Sequence, residues 1–74
     1  MHTTRFDRKA ELARRAITNR HIAKDLGVSE TLVSHVIAGR RVTGQDAKRV
    51  TEWIAEKLGT PVELAFPELR LAND

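Results

Sequence analysis

Apolar residues three and four apart recur along most of the chain, and the recurrences stop at Gly27, Gly39 and Gly59. That spacing is the period of an amphipathic helix, and no alternation of apolar and polar residues is long enough to set a strand against it. The chain therefore reads as all-α, a compact bundle of about five short helices around one core. Thr4 followed by Asp7 resembles a capping box, with Phe6, Ala10, Ala13 and Ile17 behind it at helical spacing. This predicts a first helix over residues 5–16, with Arg8, Lys9, Arg14 and Arg15 on its solvent faces. Thr18 caps a second helix that ends at Leu26, its inward face being Ile22, Ala23 and Leu26. Gly27 closes it, since a residue without Cβ takes the left-handed turn at no steric cost.

Ser29 is a suitable cap for a third helix, anchored by Val28 before it and closed by Gly39 after Ala38. Its two faces differ in chemistry. Val33, Val36 and Ile37 form one side with Leu32 at the border, while Glu30, Thr31, Ser34, His35 and Ala38 form a polar or small strip on the other. Thr43 with Asp46 repeats the capping-box pattern for a fourth helix, Val42 and Ala47 sit at hydrophobic-staple spacing, and Ala47, Val50, Ile54 and Leu58 supply the core stripe. Thr60, Pro61 and Glu63 set up a fifth helix as cap, first residue and first-turn acid. It must be brief, because Pro67 disfavours helix at Phe66. Residues 68–74 then form a loose tail on a domain of residues 1–67.

A chain of 74 residues holds one core and no second module. A core of this size supplies roughly 3–5 kcal/mol, so self-association is a reasonable supplement. With no Cys there is no disulfide frame and no thiolate metal site, and the three His are too far apart in sequence to form a local ligand pair. No metal or cofactor is expected. No apolar run approaches the roughly 20 residues that span a bilayer, and MHTTRFDRKAEL has no signal-type apolar stretch, so the expectation is a cytoplasmic protein whose mature form is the whole chain. The charge is uneven. Eleven basic against five acidic residues from Met1 to Arg49 give +6, and two against five from Val50 to Asp74 give −3. A positive front and a negative back suit a protein that lays one surface on a polyanion.

Residues 19–41, NRHIAKDLGVSETLVSHVIAGRR, place two helices around a turn of a few residues. A helix-turn-helix needs a small residue where the helices cross, which is Ala23, and a glycine in the turn, which is Gly27. It also needs apolar residues to lock the pair, and Ile22, Leu26, Val28, Val33 and Val36 stand at those offsets. The segment resembles the phage-repressor-like helix-turn-helix family of XRE or Cro type, which includes Ner-like regulators of similar size. The likeness extends over about residues 5–66 and is most specific from Asn19 to Gly39. It implies a lambda-repressor-like bundle with the helix-turn-helix at about 19–38 and the helix of residues 29–38 in the major groove. It further implies a transcriptional regulator, chiefly a repressor of phage or mobile-element type. GTPVELAFPEL resembles the family's last helix. Two departures are Asn19, where many members carry Gln, and Glu30, often Gln or a small polar residue; the second leaves the base preference open.

Thr31, Ser34 and His35 are candidate contacts to base edges, and Ser29, which opens their helix, is a further candidate DNA contact. An ordinary solvated face would more often show Lys and Glu pairs four apart. Glu30 has two readings, favourable placement at the helix dipole or acceptance from a cytosine amino group. Arg40 and Arg41 suit phosphate contact and the helix C-terminus alike. Asn19, Arg20 and the amides that open the second helix are candidates for a backbone phosphate. His21 reads as structural, and Leu32 as core edge or a contact to a thymine methyl. Trp53, Leu64 and Phe66 are candidate homodimer contacts, Trp53 also serving as a core flank. The expected partner is double-stranded DNA bearing an inverted repeat, bound by a homodimer, with no membrane. An enzyme finds no support, since no nucleophile, phosphate loop or acid and His pair stands at a recognisable spacing. The competing class is an antitoxin-type protein-interaction module that also binds its own operator.

Overall fold

The computed structural model describes residues 7–69. Its elements, in chain order, are α1 (Arg8–Arg14), α2 (Asn19–Leu26), α3 (Glu30–Ile37), α4 (Gln45–Leu58) and α5 (Val62–Ala65). The described residues form an all-helical bundle with no strand. α4 is its axis: it packs against each of the other four helices, while α2 and α3 pack on each other. Ile22, Val33, Val36, Val50, Ile54 and Phe66 meet in one buried cluster, fed by every helix and by the segment after α5.

The second and third helices start and stop where local chemistry says they should. The Thr18 hydroxyl accepts from the His21 amide at 3.1 Å, and Gly27 ends α2 with φ +71°. Ser29 repeats the device for α3, accepting from the Leu32 amide at 3.1 Å. Only Gly27, Val28 and Ser29 separate the two helices. The α4 stripe of Ala47, Val50, Ile54 and Leu58 is buried as expected.

Elsewhere the ends differ from the sequence expectation. α1 begins at Arg8 and not at residue 5, because Asp7 is extended and its own carboxylate caps the Ala10 amide at 3.1 Å. The anticipated capping Thr4 and the apolar Phe6 lie outside the described residues. The stripe through Ala10 and Ala13 is exposed, and Leu12 is the buried residue of α1. The helix stops at Arg14, and Ala16 takes φ +57°, a position that costs a non-glycine residue about 1–2 kcal/mol. α4 is entered through Gly44, at φ +100°, so Thr43 is one residue too early to cap it. α5 likewise starts one residue late: Pro61, with ψ 146°, stands at the cap position and the Thr60 hydroxyl is buried without a partner among the described residues.

The largest departure is at Arg8. Expected on a solvent face, its side chain is only 13% exposed. Its Nε donates to the Ile37 carbonyl at 2.8 Å, Nη1 to the Ala65 carbonyl at 2.9 Å, and both Nη atoms to the Glu68 carboxylate at 3.1 and 2.9 Å. The guanidinium also lies 4.3 Å from the centre of the Phe66 ring. Glu68 and Leu69 therefore belong to the packed body and not to a loose tail, with Leu69 resting on the core. A carboxylate held by a planar fork of this kind is among the stronger polar contacts a protein makes. Burial pushes the Glu68 carboxyl up, but the bonds from Arg8 and from its own backbone amide outweigh it and hold the group below its ordinary value.

Candidate functional site

Helix α3 carries its apolar residues on one side only. Val33, Val36 and Ile37 are buried and Leu32 is half-buried against the core, so the helix cannot rotate without exposing them. Glu30, Thr31, Ser34, His35 and Ala38 are thereby left exposed as one strip. None of the four polar side chains in it bonds or ion-pairs to another described residue. Elsewhere on the described surface some charged groups are paired: Glu11 holds Arg14 and Arg15 at 3.3 and 2.8 Å, and Arg49 lies 3.8 Å from Asp46.

Both ends of α3 are secured. Ser29, exposed but occupied as the cap, fixes the first turn. At the last turn the Gly39 amide returns to the Val36 carbonyl at 3.0 Å and the Arg40 amide to the His35 carbonyl at 2.9 Å. Gly39, at φ +80°, takes a left-handed turn that favours glycine, and a Cβ there would also displace the Glu68 carboxylate beside Arg8. The exposed Arg40 and Arg41 follow directly, with no ion-pair partner among the described residues.

Helix α2 is fastened at its far end to α4. Trp53 Nε1 donates to the Asp25 carboxylate at 2.6 Å, and Arg49 Nη2 donates to the Leu26 carbonyl at 2.7 Å. A cation at that carbonyl also meets the negative end of the helix dipole. Asn19 and Arg20 lie exposed in the first turn of α2, where Thr18 satisfies the His21 amide and the two amides before it find no partner among the described residues. Arg20 and Lys24 border an open notch with Ala23, Val28, Ser29 and Glu30, which brings the start of α3 beside the outer face of α2.

No protein family, curated protein or solved structure matches this chain. Among the described residues, no helix is long and apolar enough to cross a membrane, and no cluster of His, Asp or Glu has metal-binding geometry.

The three residues expected at a dimer contact separate. Phe66 is wholly buried in its own chain and Trp53 nearly so, its ring flanked by His21 at 5.8 Å and Lys57 Nζ at 5.3 Å. Phe66 has no surface left for a second copy and Trp53 little, so the expectation of a dimer contact is corrected at Phe66 and weakened at Trp53. Val62 and Leu69 also rest on the core. Leu64, 55% exposed, is the large apolar side chain left outside among the described residues. The supports of α2 and α3 were not foreseen: Arg8 is expected on a solvent face, and no sequence signal singles out Arg49, Asp25 or Glu68. Asp25 and Trp53 stand 28 positions apart, and no local pattern links them.

Proposed function

We propose that this chain is a sequence-specific double-stranded DNA-binding regulator of the phage-repressor-like helix-turn-helix type, acting from the cytoplasm as a transcriptional repressor. The observation that carries the reading is the strip of α3: short polar groups, unpaired among the described residues, on a helix held at both ends and set three residues after α2. Short hydroxyl and imidazole groups on such a helix meet base edges in a major groove, whose width admits one helix. Thr31, Ser34 and His35 read bases, with Glu30 accepting from a cytosine amino group. Arg40 and Arg41, and Asn19 and Arg20 at the opening amides of α2, hold phosphates and set the register. A homodimer on an inverted repeat remains part of the proposal, with Leu64 as its exposed apolar contact.

Selection of bound sites from random duplexes, followed by affinity measurement at rising salt, tests this. An enriched palindromic site is expected, with log affinity falling by about 0.9 per phosphate contacted for each tenfold increase in salt. Failure to enrich any site, or affinity indifferent to salt, would overturn the proposal.

A further inference from the structure

The Ile37 carbonyl lies in the last turn of α3, where the helix itself provides no partner. Its partner is Arg8 Nε, from the other end of the described chain, at 2.8 Å. The same guanidinium is held by the Ala65 carbonyl, by both oxygens of Glu68 and by the face of Phe66. One planar group thus ties α1, the end of α3 and the segment after α5. Its five donors point in fixed directions, so the position of Glu68 translates into the position of Ile37. Ser34, His35 and Ala38 share that last turn, and the Arg40 amide hangs from the His35 carbonyl.

We infer that Arg8 and Glu68 are positioning residues for the C-terminal half of the DNA-reading strip. They touch no DNA themselves; they act through Ile37 and Gly39. This rests on the proposed function, which it deepens by assigning the orientation of His35 and Arg40 to the residues that close the bundle. Arg8→Lys would keep the charge and lose the fork, leaving at least one of the acceptors empty. Glu68→Ala would release the guanidinium from its carboxylate while removing no apolar group from the core.

The test compares Glu68→Ala and Arg8→Lys with Val62→Ala, which removes packing at the start of α5 and replaces none of the guanidinium's own partners. Affinity is measured for the selected duplex and for a random one, alongside thermal melting. Both clamp variants are expected to lose roughly tenfold on the selected duplex and less than about twofold on the random one, the pattern of a disturbed base contact. Val62→Ala, at an equal loss of melting temperature, is expected to leave that ratio unchanged; an equal change of ratio in all three overturns the inference. A second arm needs no DNA. In amide NMR spectra Glu68→Ala is expected to move the signals of residues 35–40 and leave those of residues 29–32 in place. Shifts confined to α1 and residues 65–69 overturn the inference. If the wild-type chain binds no duplex at all, the functional reading falls while this arm still decides whether Glu68 acts on α3.

Discussion

The exposed faces of α3 and α4 belong to neighbouring helices of one small bundle, yet their chemistry differs. On α4 the outward residues are mostly long and, apart from Gln45, charged: Asp46, Lys48, Arg49, Glu52, Glu56 and Lys57. Several are engaged within the chain, Arg49 on the Leu26 carbonyl and Asp46, Lys57 over the Trp53 ring. On α3 the outward residues are a single acid, two hydroxyls and an imidazole, bonded to no described neighbour. Long charged side chains keep a helix in water and brace it against its neighbours. Short ones leave the backbone approachable and lose little freedom when they meet a partner. α4 is therefore the brace, and α3 is the helix that presents a surface.

The first way to break that contrast is to damage the brace. Ile54→Ala, beneath α4, is expected to cost about 2–5 kcal/mol in chemical denaturation, enough to unfold much of a domain this small. A loss below about 1 kcal/mol would mean that α4 is not the axis of the core. Ala23→Leu comes next. Ala23 is buried beside Val28, Ser29 and Glu30, so the larger side chain is expected to cost about 1–3 kcal/mol and to shift α3, abolishing duplex binding in a chain that still melts cooperatively. Normal binding by that variant would show that α2 does not set the position of α3.

The sharpest comparison is between the faces themselves. Thr31→Ala and His35→Ala are each expected to weaken the selected duplex by about 1–3 kcal/mol with little change in stability, and Glu52→Ala and Glu56→Ala to do neither. Losses of similar size from both pairs would erase the distinction. The smallest effect concerns acid. The carboxyls of Glu68 and Glu11 are both held below their ordinary value of 4.5, Glu11 chiefly by the hydrogen bond from Arg15. Groups lowered on folding contribute fully above the unfolded value and lose that contribution as pH falls through the folded one. Melting temperature is accordingly expected to decline below about pH 4.5, and Glu68→Gln to flatten the decline. An unchanged profile in that variant would show that the carboxylate charge is not what Arg8 holds.

What could be read from the sequence follows from how far each signal reaches. Thr18, Gly27 and Ser29 act on amides or turns within three residues, and the two faces of α3 follow from its period alone, so that segment was legible to the residue. α1 was misread because alanine fits a helical stripe without being drawn into a core, and the inward residues are Leu12 and the stem of Arg8. Thr43 and Thr60 looked like caps, but the cap positions fall on Gly44 and Pro61, so each helix starts one residue later. Arg8 could not be assigned at all, since its partners lie 29, 57 and 60 positions away.

That last separation also fixes an order in time. Helices and the short turns between them form from contacts close in sequence, whereas joining residue 8 to residue 68 closes nearly the whole described chain into a single loop. Closing a loop that long costs more entropy than closing any turn between successive helices, so the contact gains nothing until the bundle has already brought its ends together. The guanidinium is thus expected to act as a latch, with Glu68→Ala speeding unfolding more than it slows folding in stopped-flow measurements. A latch of this kind governs how long the folded chain persists and leaves the speed at which it forms almost untouched.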